Sequence, residues 1–123
     1  MESSRSTILV IDDDAAIRST IAEILGFEGY VVEQASDGAE GLRRLERIEP
    51  ALVIIDMRMP FMDGWDFTRA LKERGIAVPV LAVTAAHDAG KWALEIGACG
   101  YLAKPFDLVD LLNEVEKQMV VKN

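Results

Sequence analysis

Ala51-Leu52-Val53-Ile54-Ile55-Asp56 is the stretch that decides the fold: five apolar residues followed by an acid. A short, continuous apolar run rich in β-branched residues is typical of a strand buried on both faces, as in the middle of a parallel sheet. Asp56 then lies at the carboxyl end of that strand, where open α/β sheets bind ligands. Pro60 prevents the strand from continuing. Considered alone, Asp56 is more simply a turn former or a helix cap, so its interpretation depends on the residues at the ends of the other strands.

Length and composition indicate one acidic globular domain. The chain has 123 residues, half of them hydrophobic, with 21 acidic residues against 13 Lys and Arg and a formal net charge of −8. Such a charge disfavours direct binding to nucleic acid or to an anionic membrane. No apolar run approaches the ~18 residues of a membrane span, and no signal-peptide pattern is found. We therefore expect a cytoplasmic protein, and if it handles phosphate, we expect a metal cation to mediate the contact.

The rest of the chain alternates between strand-like and helix-like patterns. Four more strands are predicted at residues 8–11, 30–33, 78–84 and 100–102. Apolar stripes at helical spacing predict helices over about residues 15–27, 39–45, 63–71, 89–96 and 108–119. The resulting βαβαβαβαβα order predicts a parallel sheet with helices on both faces and right-handed crossovers.

Polar and charged side chains end four of these strands: Asp12 with Asp13, Asp56, Thr84 and Lys104. Because the carboxyl ends of parallel strands meet at one edge of the sheet, these side chains should converge. Three carboxylates together repel each other unless some take up protons or a cation neutralises them. Hard oxygen ligands suit Mg²⁺. With a lysine and a hydroxyl added, such a pocket suits a phosphoryl group, and a carboxylate within it can serve as the nucleophile.

Each of these residues also has a simpler interpretation. Asp12, Asp13 and Asp14 are suited to the start of the first helix, which favours nearby negative charge. For Asp14 we favour this capping role. For Asp12 and Asp13 we favour metal binding, since three acids exceed what a cap requires. The single cysteine, Cys99, excludes an internal disulfide and is expected to be a small buried core thiol, and His87 a solvated loop residue.

The motifs taken together resemble the receiver domain of the response-regulator family, over about residues 7–119. They are Ile8-Leu9-Val10-Ile11-Asp12-Asp13-Asp14, Val53-Ile54-Ile55-Asp56-Met57-Arg58-Met59-Pro60, Met62-Asp63-Gly64, Val83-Thr84-Ala85, Gly97-Ala98 and Tyr101-Leu102-Ala103-Lys104-Pro105-Phe106. The resemblance implies a flavodoxin-like five-stranded sheet in the order 2-1-3-4-5. We expect residues 1–123 to form a single receiver domain with no output domain in this chain, either as a single-domain regulator or as a receiver cut from a larger protein.

The resemblance also implies how the site works. Asp56 would be the phosphoacceptor, receiving a phosphoryl group from the phosphohistidine of a sensor histidine kinase or phosphotransfer protein. Asp13, Asp56 and the backbone carbonyl of Arg58 would ligate Mg²⁺, and Asp12 would act through water. Lys104 would pair with Asp56 and then with the phosphoryl group.

The same resemblance implies a conformational switch. Thr84 would close onto the phosphoryl group, Tyr101 would turn inward behind it, and the Lys104-Pro105 bond would be cis. Helix 4, strand 5 and helix 5, roughly residues 88–118, would then present a changed face to a downstream protein target. We expect a monomer or a weak phosphorylation-dependent dimer. In the family that this chain resembles, the positions two residues past Asp56 and Thr84 modulate the lifetime of the phosphoryl group, so Arg58 and Ala86 at these positions imply a fairly long-lived phosphorylated state.

Four alternatives fit the sequence less well. A haloacid dehalogenase-type phosphatase also places Asp, Thr and Lys at strand ends, but it needs an acid where this chain has Arg58. Flavodoxin and dinucleotide-binding proteins need a phosphate loop or a glycine fingerprint after the first strand, where this chain has Asp12-Asp13-Asp14. A phosphorylation-independent scaffold remains possible, but it has no need of the complete acidic pocket.

Overall fold

The computed structural model describes residues 7–85 and 87–119. Within these ranges five strands alternate with five helices. They are β1 (Thr7–Ile11), α1 (Ala15–Phe27), β2 (Val31–Ala35), α2 (Gly38–Leu45), β3 (Leu52–Asp56), α3 (Gly64–Glu73), β4 (Val80–Thr84), α4 (Ala89–Ile96), β5 (Gly100–Ala103) and α5 (Leu108–Met119). Ala86, to which the sequence assigned an effect on phosphoryl lifetime, lies outside the described residues.

The five strands form one parallel sheet in the order β2-β1-β3-β4-β5, as predicted. Every residue of β1, β3 and β4 is buried, because these strands have neighbours on both sides and helices on both faces. The edge strands β2 and β5 are only partly buried. Ile11 of β1 pairs with Ile55 of β3, so the residues that come next, Asp12 and Asp56, emerge at the same edge of the sheet.

Two hydrophobic layers cover the faces of the sheet. Because successive strand residues point to opposite faces, Leu9 and Ile11 pack in one layer with residues of α2, α3 and α4, while Ile8 and Val10 pack in the other with residues of α1 and α5. Gly41 allows α2 to approach β1 closely: a Cβ at this position would lie 2.5 Å from Cδ1 of Ile11. The helices are thereby fixed against the sheet, which leaves the loops at its carboxyl edge to form a site.

Aspartate side chains cap four of the helices, among them Asp107 at the start of α5. The side chain of Asp14 accepts hydrogen bonds from the backbone N–H groups of Ala16 and Ile17, at 3.0 and 3.1 Å, which confirms its predicted role as the cap of α1. Asp37 caps α2 and Asp63 caps α3 in the same way. Each cap satisfies an N–H group that has no partner within the helix.

Two strands begin later than the sequence predicts. Strand β2 begins at Val31 rather than Tyr30, because the Tyr30 N–H donates to the Leu25 carbonyl at the end of α1. Strand β4 begins at Val80 rather than Val78, directly after Pro79, which has no N–H to donate to a neighbouring strand.

The prediction of a buried thiol at Cys99 is wrong: Cys99 is exposed. Gly97 ends α4 with a left-handed φ of +70°, and Cys99 lies in the short connection between α4 and β5. Partial burial nevertheless raises the pKa of the Cys99 thiol, and the charge of Glu114 adds to the effect.

His87 is an exposed turn residue, as predicted.

Candidate functional site

Side chains from three strand ends meet in one ion-pair network. Lys104 comes directly after β5, and its Nζ lies 2.9 Å from Oδ2 of Asp56 at the end of β3. The same Nζ lies 3.3 Å from Oδ2 of Asp12, which comes directly after β1. Asp12 is 2% exposed and Asp56 8%. The sheet therefore holds two nearly buried carboxylates and one lysine within direct contact.

Asp13 adds a third carboxylate at the solvent side of this network. One oxygen from each of Asp12, Asp13 and Asp56 lies within 4.8 Å of the others. Carboxylate oxygens are the ligands that hard cations such as Mg²⁺ take, and here three of them converge on one place. Three carboxylates against one lysine also leave an excess of negative charge. The residues present thus suit Mg²⁺ in both donor type and charge.

Burial sets the protonation of Asp12. It raises the pKa of Asp12 above its ordinary value, and the charge of Asp56 acts in the same direction. The Asp14 N–H, which donates to Oδ1 of Asp12 at 2.9 Å, and the charge of Lys104 oppose this without cancelling it. The ionised form of Asp12 is therefore less favoured than in water, as expected for a carboxylate that is buried in the protein.

Lys104 is held in its charged form. Burial lowers the pKa of Lys104, but the hydrogen bond and charge of Asp56, together with Asp12, outweigh burial and raise it. The Lys104 backbone N–H donates to the Thr84 carbonyl at 2.8 Å, and the Lys104–Pro105 peptide bond is cis. The lysine is thus fixed to β4 by its backbone and to the carboxylates by its ammonium group.

Thr84 and Tyr101 lie on neighbouring strands. Thr84 ends β4 and is 1% exposed. Tyr101 of β5 is 49% exposed, and its ring lies over Gly90 of α4, where an added Cβ would be 3.4 Å from the ring. The hydroxyl of Thr84 is thus part of the buried sheet edge, whereas the Tyr101 ring lies at the surface between β5 and α4.

The loop after β3 completes the surroundings of Asp56. The Arg58 backbone N–H donates to Oδ1 of Asp56 at 3.1 Å. The Arg58 guanidinium is directed elsewhere: it lies 5.9 Å from the centroid of the Trp92 ring in α4. Further along the loop, Phe61 has a left-handed φ of +71° and is 97% exposed. Asp56 therefore has one carboxylate oxygen bonded to its own loop and the other to Lys104.

Two residues beside the site were missed from the sequence. Arg18 of α1 donates from Nη1 to the Asp12 carbonyl at 2.7 Å and so fixes the backbone of the acidic loop. The only indication of this role in the sequence was that Arg18 lies about one helical turn after Asp14. Trp92 was interpreted as part of a core stripe, and nothing in the spacing indicated that it receives Arg58.

Comparison with known proteins identifies the family. The family model described as the response regulator receiver domain matches residues 8–116 of the chain. The chain belongs to this family. A receiver domain is a signalling domain of two-component systems.

Relatives and solved structures agree with this assignment. Response regulator MprA of Mycobacterium leprae (strain TN) is 39% identical over 110 residues, which is 88% of this chain and 48% of that protein. A CheY-like receiver domain protein from Methanospirillum hungatei JF-1 has a TM-score of 0.82 at 33% identity, covering 93% of both chains. Chemotaxis protein CheY4 of Vibrio cholerae has a TM-score of 0.83 at 30% identity, covering 91% of this receiver domain and 97% of that chain.

The receiver domain spans about half the length of the curated relatives it matches. None of the helices within residues 7–85 and 87–119 is long and apolar enough to cross a membrane.

Proposed function

We propose that this receiver domain accepts a phosphoryl group on Asp56 from the phosphohistidine of a sensor histidine kinase or phosphotransfer protein. The observation that carries this proposal is the contact of Lys104 with Asp56, 2.9 Å, beside the carboxylates of Asp12 and Asp13. An ammonium group and a cation-binding acidic cluster around one carboxylate are what phosphoryl transfer requires, since its catalysis consists mostly of positioning and charge neutralisation.

The transfer exchanges one bond to phosphorus for another. A carboxylate oxygen of Asp56 attacks the phosphorus. A P–O bond to Asp56 forms, and the N–P bond to the partner's histidine breaks. The released imidazole nitrogen takes up a proton from solvent. Lys104 moves from the Asp56 carboxylate to a phosphoryl oxygen, and the Thr84 hydroxyl bonds another. Both groups are held at the sheet edge, so little reorganisation is needed.

Asp13, Asp56 and the backbone carbonyl of Arg58 would hold Mg²⁺ directly, and Asp12 would act through water. When bound, the ion neutralises phosphoryl oxygens and offsets the repulsion among the carboxylates. The three carboxylates support this assignment, because Lys104 is the one cation that the described residues place in direct contact with them.

A hollow beside Lys104 suits the approach of the phosphodonor. It has a volume of about 490 Å³, and its lining includes Ile17 and Ile21 of α1, Lys104, Phe106 and Leu111. The lining is mostly apolar, so an amphipathic helix of the partner is a suitable occupant. Because Lys104 lies at its edge, a helix seated there would bring a phosphohistidine next to Asp56.

Phosphorylation would be communicated to a downstream protein through the face formed by α4, β5 and α5. Thr84 closing onto the phosphoryl group would make room for the Tyr101 ring to turn inward, which would alter the surface between β5 and α4. Tyr101, Leu108 and Val109 are between 49% and 60% exposed, which supports this face as the one that a downstream protein reads.

Intact mass spectrometry after incubation with Mg²⁺ and a small acyl phosphate tests the phosphoacceptor role. We expect one phosphoryl adduct on the wild type, none without Mg²⁺ and none on Asp56→Asn. The matched control is Asp66→Asn, which makes the same change at a surface carboxylate of α3 that pairs with Arg69. It should be modified like the wild type. An unmodified wild type, or an adduct that persists on Asp56→Asn, would overturn the proposed function.

A further inference from the structure

Arg58 is held by a pair of tryptophans that links α3 and α4. Its guanidinium lies over the Trp92 ring, 5.9 Å from the centroid. Trp92 makes an edge contact with Trp65 of α3, with centroids 4.8 Å apart and planes at 66°. Trp65 in turn donates from Nε1 to Oε1 of Glu95 in α4, at 3.0 Å. The arginine therefore rests on a ring that is itself supported from a second helix.

The contact with Trp92 holds the Arg58 guanidinium only weakly. Within the part of the chain that the structure describes, the Arg58 guanidinium has no carboxylate partner. Arg58 is exposed, and at exposed sites a cation–π contact contributes little. A charge-assisted hydrogen bond to a phosphoryl oxygen is stronger. Since Arg58 is two residues past Asp56, its guanidinium has two competing positions, one on Trp92 and one on the phosphoryl group.

We propose that Trp92 is a positioning residue that holds Arg58 away from phosphorylated Asp56 and thereby shortens the lifetime of the phosphoryl group. This inference rests on the proposed function. The step concerned is hydrolysis: a water oxygen attacks the phosphorus, and the P–O bond to the Asp56 carboxylate breaks. The carboxylate is released, and the two hydrogens of the water leave with dihydrogen phosphate.

The direction of the effect depends on where that water must come from. In-line attack requires water opposite the breaking P–O bond, which is the solvent side of a buried carboxylate such as Asp56. Arg58, at the exposed rim, would occupy that side when it pairs with the phosphoryl group. Lys104 already provides positive charge at the phosphoryl oxygens, so the exclusion of water by Arg58 outweighs its added charge. Holding Arg58 on Trp92 keeps the path for water open.

A double-mutant cycle tests the proposal. The rate constant for phosphoryl loss is measured by intact mass, after removal of the donor and in constant Mg²⁺, for wild type, Trp92→Leu, Arg58→Gln and the double variant. An exposed cation–π contact limits the effect to about a two- to fivefold change. We expect Trp92→Leu to lose its phosphoryl group two- to fivefold more slowly than the wild type. In the Arg58→Gln background the same substitution should leave the rate unchanged.

The other outcomes overturn the inference. A rate that Trp92→Leu leaves unchanged or raises contradicts it, and so does an equal change in both backgrounds, which would indicate a purely structural effect of Trp92. These results leave the proposed function intact, since they require a phosphorylated Asp56. A wild type that forms no adduct at all would instead overturn the proposed function and the inference with it.

A second measurement uses the unmodified protein and does not depend on the folding of a variant. The ring current of Trp92 should shift the NMR signals of the Arg58 side chain upfield in the unphosphorylated chain. Beryllofluoride, a phosphoryl mimic, should partly remove that shift as Arg58 divides its time between the two positions. Signals without a ring-current shift, or a shift that beryllofluoride leaves unaltered, would contradict the competition.

Discussion

At the scale of single residues, Asp12 makes the stability of the folded protein depend on pH. Its folded-state pKa is raised above 3.8 by burial, so the folded chain keeps a proton that the unfolded chain has lost. Stability therefore falls as the pH rises from about 3.8 through the folded pKa, and it stays lower above that value. Because the raised pKa already includes the attraction of Lys104, removal of the charge should stabilise the metal-free protein.

We expect Asp12→Asn to unfold at a higher urea concentration than the wild type at pH 7 in the absence of Mg²⁺. The difference between the two midpoints should shrink as the pH is lowered towards 4, where Asp12 is increasingly protonated in both states. Urea titrations at several pH values, with a chelator present, measure this directly. A difference that grows on acidification would show that Asp12 is stabilised in its ionised form.

At the scale of the elements, the three consecutive acids before α1 have different roles: one caps the helix and two belong to the acidic cluster. The side chain of Asp14 caps the helix, whereas the carboxylates of Asp12 and Asp13 lie in the acidic cluster with Asp56. We expect Asp14→Ala to lower the free energy of unfolding by about 1 kcal/mol. Asp14→Ser, which keeps a capping oxygen, should lose much less. Both variants should still form the phosphoryl adduct in full.

Chemical denaturation and intact mass spectrometry on the same two variants check this separation. An adduct lost in Asp14→Ala but kept in Asp14→Ser would mean that the cap positions the acidic loop for chemistry. Unchanged stability in Asp14→Ala would mean that the two hydrogen bonds to the helix are exchanged for water without loss.

The elements also show how far the sequence could predict the fold. β1 and β3 are short continuous apolar runs rich in β-branched residues, and their length favours a strand over a buried helix, so their position was predictable. The edge strand β2 was misplaced by one residue at its start, because a single hydrogen bond from Tyr30 to Leu25 decides where α1 ends. Cys99 was misassigned because composition does not reveal how far a residue in the connection between α4 and β5 is exposed.

The candidate site was likewise predictable from the sequence only in part. The convergence of Asp12, Asp56 and Lys104 was predictable, because parallel topology alone brings strand ends to one edge. The direction of the Arg58 side chain was not, because an exposed arginine in a loop has many rotamers of similar energy. Only the position of Trp92 relative to that loop, which depends on how α3 and α4 pack, selects one of them.

At the scale of the whole molecule, the binding of a phosphoryl mimic should raise global stability. A ligand that binds only the folded state stabilises it by about 2.7 kcal/mol at one hundred times its dissociation constant. For a domain of 123 residues this corresponds to a rise in Tm of roughly 8–12 °C. We expect such a rise for the wild type when Mg²⁺ and beryllofluoride are both present at that level, and a smaller rise with Mg²⁺ alone.

Thermal unfolding of the matched variants decides whether this stabilisation comes from the site. Asp56→Asn removes the oxygen that would bind the mimic, so its Tm should not respond to beryllofluoride beyond the effect of Mg²⁺. Asp66→Asn, with its substitution at the surface of α3, should respond like the wild type. A full rise in Asp56→Asn would mean that the ions stabilise this acidic chain through its overall charge of −8 rather than through Asp56.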